Sequence, residues 1–500
     1  MGSSLIDTER EPRPPHRGVK EALIVLFACA AAALAVYWHG LHTGYYGDDV
    51  MLVFTNPSRN IFTWFYEPNP GNPMYRPLSS MILAIIQSLA GSNTLPIHLI
   101  TLTVHAMCAT LVYVAARALR LPIAAALFAG GYMLLSQANA MAVTGNDTLS
   151  QVASTLLGFV SLWLFYTTVV DPDMPASQRL RRRMWSLAAL LTAFLFKETA
   201  ASFVLSITCV AVWFRKEANP ATSGRFIRAL LPVYALAALY TVIRFSIVQS
   251  LPGGQYALAF GLNVPSNLAM SVFSSLTPIS TVDTITLLRS HATLAVMGVC
   301  AVTLAVAASL LSGIRRRDEK RLGLLLGLIA MVQLVPPLFF TRTSELYVYQ
   351  SMPVISLLFG MGVSAFIGWS TSGKTRRVSL ILAVFLLFCA HIFADVSKTE
   401  HVAESGKRFG QLLPRVLPYF SHVPQNGLLI LENPAGTPAR YSVFIQEAFN
   451  VFQDASGYMQ RVSGRQDVRV IIRDNIPDTR NSSDTNAVVL ILVDGDVRRK

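Results

Sequence analysis

Two adjacent carboxylates, Asp48 and Asp49, stand in the segment YYGDDV shortly after the first apolar run of the chain. At a membrane surface such a pair repels itself and is costly to desolvate, which suits a general base or a ligand for a divalent cation. As plain structure, the pair would cap a helix starting at Val50. Further along, NPGNPMYRPLSSM places Tyr75 and Arg76 directly before Pro77. Proline suits a first helical turn, so Arg76 stands at a helix entry, able to fork onto a phosphate or a carboxylate, Asp48 and Asp49 included. Lys197 and Glu198 interrupt an otherwise apolar stretch, either as a functional pair at membrane depth or as partners to each other in a tight turn. Arg244 lies near the end of a later apolar run, and Arg342 precedes Glu345, Tyr347 and Tyr349 at the start of another. Asp147 closes the loop ANAMAVTGND.

The elements that carry these residues are membrane spans. Of the 500 residues 53% are hydrophobic and 14% charged, against about 25% charged in a soluble domain. The apolar residues fall in runs of about 17–25, the length needed to cross a hydrocarbon core of about 30 Å. A formal net charge of +13 would fit nucleic acid, but the basic residues gather in short loops between apolar runs, as the positive-inside rule expects, and a nucleic-acid partner is excluded on that distribution. The five cysteines all lie inside apolar runs and form neither a disulfide framework nor a metal cluster.

With the N-terminus cytoplasmic, the charge pattern gives about eleven spans: Val19–His39, Leu95–Ala116, Leu121–Gln137, Leu149–Val169, Met184–Phe196, Thr199–Phe214, Phe226–Gln249, Ala292–Leu311, Leu322–Phe340, Leu346–Trp369 and Val378–Val396. Leu78–Ala90 is expected to lie along the outer surface, as is the second half of PGGQYALAFGLNVPSNLAMSVFSSLTP. The N-terminal region reads as an uncleaved anchor. Residues 1–18 are then a cytoplasmic tail, 19–397 a membrane module with a first outer loop at 40–94, and 398–500 an external α/β domain. That last reading rests on the strand-like runs NGLLILENP, VRVIIRD and NAVVLILVDGDV and on YSVFIQEAFNVF as a helix between them. On this topology Asp48, Asp49, Arg76, Lys197, Arg244 and Arg342 converge on the outer side.

His98 and His105, seven apart, share a helix face and read as packed histidines in the absence of a third ligand. The sequons at Asn146 and Asn481 match the acceptor pattern, which also arises by chance.

The order of motifs resembles the GT-C membrane glycosyltransferases: an early GDDV, YRPL opening a helix, AGSNTLPIHLITLTVHA, VTGND, FLFKET between short spans, and SELYVYQSMP. The protein O-mannosyltransferase-like branch is the nearest in look, here without tetratricopeptide repeats, over about Val19–Trp369. The resemblance implies an inverting transfer of a sugar, hexose or mannose, from a polyprenyl-phosphate donor of undecaprenyl or dolichyl type to a hydroxyl on a glycan, lipid or protein. It places Asp48 or Asp49 as catalytic carboxylate and Arg76, Lys197, Arg244 and Arg342 at the donor phosphate, with Tyr75, Asp147, Glu198, Glu345 and Tyr347 in support. A divalent metal stays open as a cofactor of the acidic residues. The tail from FGQLLPRVLPYF onward looks like the extension of bacterial members, implying the inner membrane, a periplasmic active site and an undecaprenyl carrier.

The chemistry fits those residue types. Cleaving a sugar–phosphate bond leaves extra charge on phosphate, which fixed cations stabilise, while a carboxylate takes the acceptor's proton. A lipid transporter or flippase is the rival class; it would favour paired halves with charges near the midplane, and neither is present.

Overall fold

The computed structural model describes residues 15–44, 60–67, 74–91, 93–171, 173–215, 220–248, 258–289, 293–312, 314, 317–340, 344–369, 374–433, 463–465, 467–474, 486–493 and 496–499. Asp48, Asp49, Arg342, Asn481 and the expected helix YSVFIQEAFNVF lie outside them.

Helices dominate. In chain order they are α1 (Pro15–Val36), α2 (Pro77–Ala90), α3 (Leu95–Ala118), α4 (Ile123–Leu135), α5 (Ala140–Thr144), α6 (Leu149–Val170), α7 (Ala176–Phe196) and α8 (Ala201–Arg215). There follow α9 (Pro220–Ile247), α10 (Asn263–Leu276), α11 (Thr281–Arg289), α12 (Thr293–Ser312), α13 (Arg317–Leu338), α14 (Met352–Trp369) and α15 (Lys374–Val416). Among the described residues seven helices are long and apolar enough to cross a membrane, and four shorter apolar ones accompany them. The chain is an integral, multi-pass membrane protein.

Several boundaries differ from the sequence reading. The expected span from Leu346 opens instead as a 3-10 turn, Glu345–Gln350, and the helix begins at Met352. Pro353 accounts for the restart: proline fits a first helical turn but would remove a hydrogen bond from a helix already running. The expected fifth span starts earlier, at Ala176, with arginines 179 and 181–183 in its first half. The last helix does not stop near Val396; it runs 43 residues to Val416, so the expected boundary at 398 falls inside it. At 1.5 Å per residue that rod is about 65 Å long, twice the hydrocarbon thickness.

Inside a bilayer, apolar side chains gain nothing by leaving lipid, so helices associate through close contact of small residues. α3, α4 and α14 do this: Ala109, Ala125, Ala126 and Ala129 are fully buried. A Cβ built on Gly360 would stand 2.8 Å from the Ala129 Cβ and 3.1 Å from the Ala125 carbonyl.

Beyond α15 comes a four-stranded sheet in the order β2-β1-β3-β4, from β1 (Leu428–Asn433), β2 (Arg469–Asp474), β3 (Ala487–Val493) and β4 (Asp496–Arg499). β1 pairs in parallel with β2 and β3, Ile430 lying opposite Ile471 and Val489. Leu429, Ile430 and Leu431 are all buried, so β1 is covered on both faces, as central parallel strands are. Arg465 fastens the sheet to the 3-10 turn Leu417–His422 that follows α15. Its Nη1 donates to the Phe420 carbonyl at 3.0 Å and its Nη2 to that of Val423 at 3.2 Å, while Nε and Nη2 fork onto Asp467 at 2.7 Å each.

Replacing Gly360 by Leu is expected to force α4 and α14 apart and cost about 1–3 kcal/mol. Thermal unfolding in detergent reads this, with Gly224→Ala, where nothing lies within 4 Å, as the unaffected control; equal melting of the two variants would refute the close-packing account.

Candidate active site

Among the described residues, Tyr75, Arg76, Lys197, Glu198, Arg244 and Tyr347 gather around one group of helix ends and breaks. Pro77 starts α2, and Arg76 is the residue directly before it, with a backbone that is neither helical nor extended (φ −134°, ψ 62°). From there the guanidinium forks onto Glu198: Nε donates to Oε2 at 3.0 Å and Nη2 to Oε1 at 2.7 Å. Among the described residues, the acid that Arg76 forks onto is Glu198. Bidentate geometry of this kind fixes direction as well as charge.

Lys197 ends α7. Its backbone is extended (φ −159°, ψ 137°), which breaks the helix before the turn Glu198–Ala200 and α8. The side chain is 2% exposed, and its ammonium sits 5.2 Å from the ring centroid of Tyr347, a cation–π distance. Tyr347 belongs to the turn Glu345–Gln350, and other residues of that turn make their own contacts. Glu345 pairs with Lys398, the Tyr349 hydroxyl is 2.8 Å from His105 Nδ1, and the Gln350 amide donates to the Thr199 carbonyl at 2.8 Å and Ser202 Oγ at 2.5 Å.

Tyr240 joins α9 to this group. Its ring stacks on Phe194 at 4.5 Å and tilts against Tyr75 at 6.0 Å, and its hydroxyl donates to the Tyr75 carbonyl at 3.3 Å. One turn on, Arg244 is 9% exposed, with its guanidinium 5.1 Å from the Phe245 ring. Arg76, Glu198 and Arg244 all lie within electrostatic reach of Tyr240. The Tyr75 phenol donates to the Phe65 carbonyl at 3.1 Å, and burial pushes its pKa up, keeping it a neutral donor.

The segment leading to Asp48 and Asp49 is described as far as Gly44. There the Thr43 carbonyl accepts from Thr94 Oγ1 at 2.8 Å and lies 3.0 Å from His98 Nε2, and the Gly44 carbonyl accepts from the Asn146 amide at 3.2 Å. Asp147 is half-buried beside Asn146, its carbonyl taking the Ser150 hydroxyl at 3.0 Å. Asn146 itself is 1% exposed and holds this stem, a structural use that leaves the sequon inaccessible. His98 and His105 likewise make hydrogen bonds to protein, His105 on both ring nitrogens. Among the described residues no group of three or more His, Cys, Asp or Glu side chains could hold a metal ion.

Sequence reasoning missed Tyr240 and the buried polar face of α15. The latter had a signal, His391, Asp395 and Lys398 at helical spacing, hidden by ending the span at Val396.

The sequence matches no protein-family model and no curated protein. Solved structures do match. ArnT from Cupriavidus metallidurans in the apo state aligns with a TM-score of 0.54 at 12% identity, over 95% of this chain and 93% of that one. The same protein bound to undecaprenyl phosphate aligns at 0.52 and 12%, over 93% and 92%. The Archaeoglobus fulgidus oligosaccharyltransferase in the apo form aligns at 0.51 and 11%, over 90% of this chain and 64% of its own. The chain has the GT-C fold. In that fold the Arg76, Lys197 and Arg244 positions come from three separate parts of the membrane module, α2, α7 and α9, and close on one tyrosine-lined group.

The Arg76–Glu198 fork predicts an energetic coupling. A double-mutant cycle with Arg76→Ala and Glu198→Ala should return about 0.5–3 kcal/mol in thermal or denaturant unfolding; additive single effects would mean the pair acts as two independent surface charges.

Proposed function

We propose that the protein is an inverting glycosyltransferase that moves a sugar from a polyprenyl-phosphate donor to a hydroxyl acceptor at the outer face of the membrane. The observation that carries this reading is the buried Lys197 ammonium beside the Arg76–Glu198 fork, at one end of a membrane bundle with the GT-C fold. A phosphate anchored by a lipid tail meets such a group without leaving the bilayer surface.

In the proposed reaction the donor phosphate rests among Arg76, Lys197, Arg244 and Arg342, with Glu198 holding Arg76, Tyr347 beside Lys197, and Tyr75 and Glu345 in support. The acceptor hydroxyl attacks the anomeric carbon as its proton passes to the carboxylate of Asp48 or Asp49. The bond from that carbon to the phosphate oxygen breaks, and its electron pair stays on phosphate. Charge grows on phosphate as the bond opens, so fixed cations favour the transition state over the bound donor. A single displacement inverts the anomeric centre. Asp147, near the stem of the first outer loop, is proposed as a neighbour of the acidic pair, whether these act alone or with a divalent metal.

A hexose such as mannose, an undecaprenyl carrier and a bacterial inner membrane with the active site in the periplasm complete the reading, which follows the O-mannosyltransferase-like motifs. The C-terminal sheet is proposed as an external domain contributing to acceptor choice.

The test is release of polyprenyl phosphate from a labelled polyprenyl-phosphate hexose by purified protein. Asp48→Asn and Asp49→Asn are made singly, and at least one is expected to lose about 10²–10⁴ in turnover with normal expression. Two near-normal variants would remove the carboxylates from the chemistry. Wild-type protein that moves labelled lipid across vesicles without releasing phosphate would support a flippase instead.

A further inference from the structure

One face of α15 is polar, buried and unused by the reaction above. His391, Asp395, Lys398 and Thr399 are each 1% exposed or less, and their spacing of four, three and one puts them on one side of the helix. Lys398 pairs with Glu345 Oε2 and reaches both the side-chain and backbone oxygens of Gln137 at 3.3 Å. The other Glu345 oxygen accepts the backbone N–H of Thr281 at the start of α11. Gln137 is itself fixed, its amide donating to the carbonyls of Ser274 at 2.9 Å and Thr277 at 3.1 Å. Asp395 lies beside Tyr37, within electrostatic reach of Lys398. A single ammonium therefore ties together α15, the turn after α4, the start of α11 and the turn Glu345–Gln350.

That last turn matters most, because Tyr347 lies under Lys197 two residues beyond Glu345. The neighbouring Thr399 packs against the stem of the first outer loop, its Cγ2 only 3.0 Å from where a Cβ on Gly40 would stand. Stability alone is a poor reason for such a pair. Apolar side chains of similar volume usually hold a buried junction as well or better, since two charges must first be stripped of water. A fixed ion pair gives direction, which apolar packing does not.

We infer that Lys398 is a positioning residue for the transfer reaction: through Glu345 it holds the 345–350 turn, and so Tyr347 and Lys197, in register with the donor phosphate. This rests on the glycosyl-transfer reading. Lys398 touches no reacting atom in this scheme; it acts through Glu345.

The test uses full-length protein in nanodiscs and three variants: Lys398→Met, Glu345→Gln, and the double variant, which removes both members of the ion pair and keeps the experiment readable should a single variant fold poorly. The first measurement is backbone hydrogen exchange and needs no ligand. Amides of 345–350 are expected to exchange at least about tenfold faster in Lys398→Met and in the double variant, with α6 unchanged. The second is turnover per folded molecule together with binding of undecaprenyl phosphate. A displacement near 1 Å at a reacting group costs about a hundredfold, so kcat should fall by that order, and the double variant should recover folded yield without recovering kcat. A purely structural role would instead lower folded yield and melting temperature while leaving kcat per folded molecule intact. Unchanged exchange at 345–350, or full kcat in the folded double variant, overturns the inference. Wild-type protein that binds no undecaprenyl phosphate overturns the transfer reading, and the exchange result still decides by itself whether Lys398 anchors the turn.

Discussion

A charge carried into a hydrocarbon layer must be paired, hydrated or drawn to an edge, because an isolated ion there has lost its water and gained nothing in return. Among the described residues the buried charged side chains are Lys197, Arg244, Glu345, Asp395 and Lys398, and the wider group adds the Arg76–Glu198 fork. Three of them sit where helices break or start, Lys197 at the close of α7, Arg76 at the entry to α2 and Glu345 in a 3-10 turn, whereas Asp395 and Lys398 lie inside α15. Broken helices free backbone groups that need partners, and polar side chains supply them, so the break points and the charges require each other.

The turn Glu345–Gln350 is where these demands meet. Its residues alternate between neighbours that are otherwise far apart in the chain: Glu345 to α15 and α11, Tyr347 to the end of α7, Tyr349 to α3, Gln350 to the start of α8. A regular helix could not direct consecutive side chains this way, since its residues return to one face only every third or fourth position. The departure from helical geometry is therefore what lets a six-residue turn address five elements.

Much of this was legible in the sequence. Runs of about twenty apolar residues and basic loops announce a membrane bundle, and charges that interrupt such runs announce its polar end. YRPL located Arg76 at a helix entry, because proline declares a first turn whatever surrounds it, and the three strand-like runs became β1 to β4. Partner choice was not legible: Arg76 could have paired with several acids, and only the packing of α2 on α7 brings Glu198 to it. Nor was the length of α15, because hydropathy measures where lipid ends and says nothing of a helix that continues into water. The 345–350 turn was hidden for the opposite reason, its residues being apolar enough to extend the span that follows.

The meeting of α15 with the stem of the first outer loop joins opposite ends of the polypeptide. Gly406 and Gly44 approach so closely that a Cβ on Gly406 would lie 2.9 Å from the Gly44 nitrogen. Contacts between segments so distant in sequence are among the last that a growing chain can make, since α15 is synthesised after every other span. During biogenesis the loop after α1 thus waits outside the bilayer, without its brace, while the intervening helices insert one after another. Only when the final helix slides in beside it do stem, turn and cations close on one another, so that a half-made chain in the membrane holds the parts of a site without the site.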